Sequence, residues 1–391
     1  MASYDYDVAV VGGGIHGAGV AQIAAHAGWS CVVLEQAHVA AGTSSRSSKL
    51  IHGGLRYLQQ MQFGLVRECL QERTRLLHVA PQLVRLIPFY LPVYQHASRP
   101  PWMIRAGLTL YAMLAGRNPG GHYERLPQSQ WDTLGGLRQS GLKQLFCYYD
   151  AQTDDRALTV AVMASAQSYG AQLWCATTLQ QLHRLPQGYR LSGQRGAVTF
   201  TIQARVVVNV AGPWIGTVAA KCQPPLELPP FAQVQGAHLS LPNWHPPGAF
   251  TLQSPLDGRV FFVLPWQGGA LLGSTETPFD GDPAQAACTP QEQAYLLESA
   301  HPFFPQADMT VGASFAGIRV LPKGDANRAS REALLPVDDP TKPRLVTLIG
   351  GKLTSYHPTA RAIIKRLQGA LPPANTAGDP GLLPLPPTTP P

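Results

Sequence analysis

The hydrophobic and polar positions of the first 35 residues predict a strand, a turn, a helix and a second strand. Apolar side chains fill residues 8–11, a glycine-rich turn and an alanine-rich stretch follow, and a second apolar run at residues 31–34 ends on Glu35. The β-branched residues of the two runs favour strands, and the alanines between them favour a helix. The N-terminal segment is therefore predicted to be a βαβ unit with parallel strands.

Apolar patterns further along the chain predict more elements. The helical ones cover residues 63–78, 156–169 and a stretch that begins at Lys352 and ends at about residue 368. The strand-like ones cover residues 172–175, 189–192, 198–203, 205–210 and 345–351, with the alternation typical of antiparallel sheet at 258–266 and 270–276. Residues 88–101 are predicted to be extended, and the Pro-rich tail 371–391 is predicted to be disordered.

The first turn carries the residues that a dinucleotide site needs. Gly12 permits the tight turn, Gly14 lets backbone N–H groups approach a pyrophosphate, and Gly17 lets the helix pack close to the strand. The helix N-terminus then faces the anion, and Glu35, about 20 residues downstream, can accept both hydroxyls of a ribose. A glycine-rich turn in an ordinary βαβ unit is the alternative, but the acid after the second strand favours binding of FAD or NAD.

Composition narrows the class of protein. The chain has 391 residues, 45% of them hydrophobic, which indicates a globular protein of two or three domains. Its six scattered cysteines argue against a disulfide framework or a zinc site, and no metal is expected. With neither a signal peptide nor an apolar run of about 18 residues, the chain is predicted to be cytoplasmic.

The net charge of +7 is unevenly distributed. Six arginines and no acidic residue lie between Arg73 and Tyr123, interleaved with aromatic and long aliphatic residues. This pattern predicts a peripheral contact with an anionic membrane surface, on the inner face of the cytoplasmic membrane. A core helix and strand with solvated arginines is the alternative. Nucleic acid is not an expected partner, because no recognition motif accompanies the charge.

A second glycine turn favours FAD over NAD. Gly350 and Gly351 follow an apolar strand and allow close backbone approach, and Lys352 supplies a cation that stabilises the reduced flavin. His52, beside two glycines, is the best candidate for a base by residue type, with a structural hydrogen-bonding role as the alternative. Hydroxyls of residues 43–48 are further candidates for pyrophosphate contacts.

These patterns predict an α/β fold: a Rossmann-like FAD-binding domain built from discontinuous segments, with an inserted, mainly antiparallel β substrate domain. The FAD-binding domain is assigned residues 1–85, 150–222 and 316–370, the substrate or cap domain residues 86–149 and 223–315, and the tail residues 371–391.

Five segments resemble the motif series of the FAD-dependent glycerol-3-phosphate dehydrogenases. They are SSKLIHGGLRYL (47–58), NVAGPW (209–214), AGIRVL (316–321), SREALL (330–335) and GGKLTSYHPTA (350–360). That family is a quinone-reducing, peripheral-membrane branch of the D-amino acid oxidase-like flavoproteins, and the similarity runs in order over residues 5–368. It implies oxidation of sn-glycerol 3-phosphate to dihydroxyacetone phosphate, by hydride transfer to flavin N5 and electron transfer to a membrane quinone.

The resemblance also implies roles for particular residues. FAD would be contacted by Gly12, Gly14, Gly17, Glu35, Thr43, Ser44, Lys49, Leu50, His52, Ala211, Gly212, Gly351, Lys352, Leu353 and Thr354. The phosphate and hydroxyls of the substrate would be bound by Arg56, Tyr57, Arg319, Arg331 and Lys352. Among the residues of both sets, catalysis is assigned to His52 as the base and to Arg319 and Lys352.

Three departures from the family pattern keep alternatives open. Val320 stands where a proline is usual, Glu276 replaces an aspartate, and the chain ends soon after the last FAD-contacting helix, where relatives continue into a helical domain. The oligomeric state is therefore left open. The alternatives are a related FAD enzyme acting on a 2-hydroxy acid or amino acid, and a truncated, non-catalytic flavin-binding protein.

Overall fold

The computed structural model describes residues 4–95, 97–323 and 333–387, with the side chains of Arg56, Gln59 and Gln60 excepted. Within these ranges, eighteen strands form two sheets and seven α-helices pack around them. The strands are β1 (Tyr6–Val11), β2 (Cys31–Leu34), β3 (Leu50–Ile51), β4 (Val84–Tyr94), β5 (Tyr123–Arg125), β6 (Leu142–Thr153), β7 (Gln172–Trp174), β8 (Thr177–Leu185), β9 (Gly188–Arg195), β10 (Val198–Asn209), β11 (Cys222–Gln223), β12 (Phe231–Leu241), β13 (Ala249–Gln253), β14 (Val260–Trp266), β15 (Gly269–Gly273), β16 (Thr277–Pro278), β17 (Ala313–Pro322) and β18 (Leu345–Thr347). The helices are α1 (Ile15–His26), α2 (Phe63–Val79), α3 (Pro101–Ala115), α4 (Asp155–Ser168), α5 (Ile215–Ala220), α6 (Pro290–Ala300) and α7 (Tyr356–Leu367).

The first sheet contains the predicted βαβ unit. Its eight strands run in the order β11-β8-β9-β10-β1-β2-β7, with β18 also beside β10. Strand β1 lies parallel to both β2 and β10, and β18 lies parallel to β10. Val11, Asn209 and Thr347 are in register, so three distant parts of the chain end side by side. The carboxyl edge of this sheet is where open α/β folds bind their ligands.

Helix α1 packs tightly because it is made of small residues. Its buried alanines and glycines lie against β1, α4 and α7. A Cβ atom on Gly17 would come within 1.9 Å of the Gly12 carbonyl oxygen, and one on Gly19 within 2.8 Å of the Tyr356 ring. The close helix–strand approach predicted for Gly17 is confirmed.

The second sheet is antiparallel except for one pair. Its strands run β16-β12-β15-β14-β13-β4-β6-β3, with β17 beside β12 and β5 beside β6, and β13 is parallel to β4. The predicted α/β class, with an antiparallel region between parallel segments, is confirmed. Strands β3 and β17 reach this sheet from segments assigned to the FAD-binding domain, so the two sheets are linked there; the domain boundaries remain a prediction.

Several predicted elements differ in extent from the observed ones. Helices α2 and α4 agree with prediction, but the two strands predicted over 198–203 and 205–210 are the single strand β10. The extended stretch from residue 88 ends at Tyr94, and helix α3 begins at Pro101. Helix α7 begins at Tyr356, which leaves Lys352 in the preceding turn.

The predicted disorder of the tail is wrong for residues 371–387. The Trp29 indole donates to the carbonyl of Pro372 at 3.0 Å, and the Asn375 amide donates to the carbonyl of Ala27 at 2.9 Å. Leu385 is buried, and its amide donates to the carbonyl of Val79. Prolines supply no amide donors but leave their carbonyls and neighbours available for such contacts. Residues 388–391 lie outside the described ranges.

Candidate functional site

A cavity of about 550 Å³ lies at the carboxyl edge of the first sheet and extends to the second. Its walls come from the turns that follow β1, β2, β10 and β18, and from side chains of β12 and β17. The register of β1, β10 and β18 therefore brings the two predicted glycine turns to one site.

The glycine turn after β1 forms one wall of this cavity. Gly12 has a φ angle of +113°, and a Cβ atom there would come within 2.7 Å of the Val210 carbonyl oxygen. Gly14 precedes helix α1 without a side-chain cap, and the Ile15 amide donates to Ser44 Oγ at 3.0 Å. Gly14 and Ile15 line the cavity at the positive end of the helix dipole, where an anion is stabilised.

Glu35 places a carboxylate at the end of β2, as predicted. Its Oε2 accepts the Gly13 amide at 2.7 Å and its Oε1 accepts the Ala37 amide at 2.8 Å. The residue lines the cavity and is 8% exposed. These two bonds fix the carboxylate and leave further acceptor capacity on its oxygens for ribose hydroxyls.

The loop between β2 and β3 uses its polar side chains to hold the cavity together. Thr43 Oγ1 donates to the Ile318 carbonyl of β17 at 2.7 Å. Lys49 has a positive φ of 59°, and its buried ammonium lies 2.6 Å from Asp155 Oδ1. The Lys49 ammonium is therefore neutralised by Asp155. Only the backbone of Lys49 would be available to contact FAD. Thr43, Ser44 and Leu50 line the cavity.

The turn after β18 forms the opposite wall. Gly350 and Gly351 have φ angles of +92° and +93°, and Gly351 packs against the His16 ring. Lys352 Nζ is buried without a hydrogen-bond partner among the described residues, 4.1 Å from the centre of the Tyr57 ring. A buried ammonium without an acceptor is costly, so this cation is placed for an anionic ligand. The other predicted residues that line the cavity here are Ala211, Gly212, Leu353 and Thr354.

The candidate catalytic side chains reach the same cavity from different elements. His52 lies in the turn after β3, and Arg319 lies on β17; both line the cavity. Arg319 donates to the Thr275 carbonyl at 2.9 Å and pairs with Glu276 at 3.4 Å. The predicted anchors that cannot be placed are Arg56, whose side chain is outside the described set, and Arg331, which lies outside the described residues.

Two cavity histidines, His16 and His238, were not predicted, because the first glycine turn that contains His16 requires no histidine there and no motif contains His238. Burial lowers the pKa of His16 to about 4, and its Nε2 has no partner among the described residues. Burial, followed by the charges of Lys49 and Arg319, lowers the pKa of His238 to about 3. The His238 ring stacks on Phe315 and bonds Ser48 Oγ at 2.9 Å. Both rings are therefore neutral at neutral pH, and alternation along β12 is the sequence signal that could have placed His238 on the cavity face.

These features define an α/β protein whose cavity has the glycine turns of a dinucleotide site and a buried cation at Lys352. A family model described as FAD dependent oxidoreductase matches residues 7–366, and the chain belongs to this family. In the part of the chain that the structure describes, no group of three or more His, Cys, Asp or Glu side chains could hold a metal ion.

Known proteins agree with this placement. The chain is 39% identical over 382 residues to a glycerol-3-phosphate dehydrogenase of Pseudomonas aeruginosa, covering 93% of this chain and 72% of that protein. It is 34% identical over 377 residues to a D-erythritol 1-phosphate dehydrogenase of Brucella abortus, covering 94% of this chain and 74% of that protein. A glycerol-3-phosphate dehydrogenase structure from Bacillus halodurans, complexed with FAD, superposes with a TM-score of 0.74 at 26% identity, covering 94% of this chain and 66% of that one.

The cavity fits FAD, the cofactor of this family, on its own geometry. A side chain at Gly12 would collide with the neighbouring backbone, and Gly351 is held in a conformation that L side chains rarely adopt. Glu35 and the α1 N-terminus offer acceptors and donors for ribose and pyrophosphate. FAD bound here would supply the hydride acceptor of the reaction.

Proposed function

We propose that the protein oxidises sn-glycerol 3-phosphate to dihydroxyacetone phosphate and passes the electrons to a membrane quinone. The observation that carries the proposal is the buried Lys352 ammonium, which has no acceptor among the described residues and shares a cavity with His52 and Arg319. A phosphomonoester is the kind of anion that needs several cations. The relatives that oxidise polyol phosphates support this substrate class.

The reaction assigns one role to each group. FAD held by the two glycine turns would supply the hydride acceptor, at flavin N5. His52 takes the proton of the C2 hydroxyl while the C2–H bond breaks with its electron pair, so that C2–O becomes a carbonyl. Arg319 stabilises the negative charge that develops on this oxygen. The phosphate is held by Arg56, Arg331 and Lys352. The Tyr57 ring stabilises the Lys352 ammonium through a cation–π contact.

Anaerobic bleaching of the flavin absorbance by candidate substrates tests this proposal. We expect sn-glycerol 3-phosphate to bleach the holoenzyme, whereas glycerol, which lacks the phosphate, does not. The variant Lys352→Met should keep its flavin but need a much higher substrate concentration. Bleaching by 2-hydroxy acids or amino acids instead would favour a related oxidoreductase, and bound flavin that no substrate reduces would favour a non-catalytic protein. D-Erythritol 1-phosphate belongs in the same panel, because one relative acts on it.

We also propose that helix α3 docks the protein on an anionic membrane surface. Trp102 and Met113 are 68% and 71% exposed, and Arg105 lies on the same exposed helix. An apolar and basic surface of this kind suits the interface of an anionic bilayer. Docking there would give the reduced enzyme access to a lipid-dissolved quinone. No helix among the described residues is long and apolar enough to span a membrane.

Fewer arginines can contribute to the docking surface than the sequence indicates. Arg73 and Arg75 belong to the basic segment, but Arg73 is fully buried against Asp150 and Arg75 is paired with Glu72. Neither arginine can therefore reach a membrane. This part of the segment belongs to the folded core, but its two arginines are buried in ion pairs and not solvated as the alternative had it.

Vesicle co-sedimentation tests the docking proposal. Replacing both Trp102 and Met113 with Ser should weaken binding to anionic vesicles, and added salt should weaken binding of the parent. Val198→Ser, which removes a similarly exposed apolar side chain from the first sheet, is the control. Equal sedimentation of all three proteins would refute docking through α3. Reoxidation of the reduced enzyme by quinone in the same vesicles tests the acceptor.

A further inference from the structure

The peptide that follows His52 is held by a buried hydrogen-bond network. The Gly53 amide donates to the Tyr111 hydroxyl oxygen at 2.9 Å, with Asp150 Oδ1 as a second, longer acceptor at 3.3 Å. The same hydroxyl donates to the Asp150 carboxylate, 2.8 Å from Oδ2. Asp150 is in turn paired with the fully buried Arg73 at 2.6 Å. The network therefore joins the turn after β3 to α2, α3 and β6.

The direction of these bonds is fixed by chemistry. A carboxylate only accepts, so the Tyr111 proton points to Asp150 and the oxygen lone pairs are left for the Gly53 amide. Burial and the charge of Asp150 raise the pKa of Tyr111 well above its ordinary value, so the phenol stays protonated. Arg73 also donates to the carbonyls of Tyr149 and Pro119, which holds the whole arrangement rigid.

The turn is closely packed against its neighbours. A Cβ atom on Gly53 would come within 2.4 Å of the Tyr111 oxygen and 2.6 Å of Leu70. Gly54 has a φ of +75°, and a Cβ atom there would collide with the Tyr57 ring, on which Lys352 rests. Because Gly53 N belongs to the peptide plane of the His52 carbonyl, holding that amide also limits the backbone orientation of His52.

We propose that Tyr111 is a positioning residue that sets the His52 backbone from helix α3. Tyr111 acts through the Gly53 amide and is not among the residues that line the cavity. The kinetic part of this inference rests on the proposed function, in which His52 is the base. The structural part does not, since it concerns only how firmly residues 50–58 are held.

The test compares Tyr111→Phe with Tyr148→Phe in the FAD-loaded enzyme. Tyr148 is equally buried, its ring lies 6.1 Å from that of Tyr111, and its hydroxyl bonds Thr251 at 3.0 Å, away from the turn. We expect Tyr111→Phe to lower kcat on the order of tenfold to hundredfold, as misplacement of a reacting group does, with little change in KM. Tyr148→Phe should leave both constants near those of the parent.

Amide hydrogen exchange of the peptide 50–58 provides the readout that needs no substrate. We expect exchange there to quicken in Tyr111→Phe and to stay unchanged in Tyr148→Phe, with equal flavin content in both. Unchanged exchange in Tyr111→Phe, or the same kcat loss in both variants, would overturn the inference. A parent enzyme that does not turn over sn-glycerol 3-phosphate would instead overturn the proposed function, and the exchange result would still decide the positioning role.

Discussion

The buried pair of Lys49 and Asp155 should be among the most sensitive points for stability. The Asp155 carboxylate accepts from the Lys49 ammonium at 2.6 Å, from the Ser47 amide and hydroxyl at 2.9 Å and 2.6 Å, and from the Arg156 amide at 2.9 Å. Replacing Asp155 with Ala removes all four acceptor contacts at once. It also leaves the Lys49 ammonium buried without its counter-charge, with Ser45 as its remaining acceptor.

The size of the effect follows from these contacts. Stranding one partner of a buried ion pair costs about 3–5 kcal/mol, so Asp155→Ala should lower the free energy of unfolding by that amount. Lys49→Met should cost about 2 kcal/mol, because the carboxylate keeps its three other donors. The double variant strands no ammonium, so its loss should fall short of the sum by about 1–3 kcal/mol.

Urea unfolding at equal, saturating FAD measures all three variants against the parent, because FAD itself stabilises the folded state. Arg361→Ala is the control, since that arginine is 65% exposed in its pair with Asp379 and should cost less than about 1 kcal/mol. Additive losses for Lys49 and Asp155, within about 0.5 kcal/mol, would refute the reasoning that the two charges depend on each other.

Three further results are expected. The free energy of unfolding should fall as pH drops from about 6.5 to 4, because His16 and His238 stay neutral in the folded protein while the same histidines of the unfolded chain take up protons. His16→Asn should reduce this fall, measured by urea unfolding between those two pH values, by about 3 kcal/mol. Gly351→Ala should yield protein with little flavin absorbance, because its Cβ would lie 2.6 Å from the His16 ring, whereas Gly369→Ala, in open space, should keep its flavin. Arg319→Ala should raise the barrier to turnover of glycerol 3-phosphate by roughly 2–4 kcal/mol in steady-state assays, and a change confined to KM would contradict its role.

Local sequence rules could predict the parts of the site that depend on one segment of chain. The turn at Gly12 and the carboxylate of Glu35 follow from the spacing of glycines and an acid around a strand and a helix, and the structure places both as expected. The commitment of Lys49 to Asp155 could not be predicted, because it joins residues 106 positions apart. The burial of Arg73 could not be predicted either, because its ion-pair partner Asp150 lies far along the chain.

The segment 47–58, which carries the most distinctive resemblance, works largely as a tie between the second sheet and the helices α3 and α4. Its polar groups make contacts with four separate elements: Ser47 and Lys49 with Asp155, Ser48 with His238, Leu50 with Gln152, and Gly53 with Tyr111. Most polar groups of the motif therefore hold the segment in place, since buried polar groups need hydrogen-bond partners. Chemistry at His52 depends on this support, because a base must lie within hydrogen-bond reach of the proton it removes. A substitution in the motif should thus impair turnover even where the side chain it alters touches no ligand.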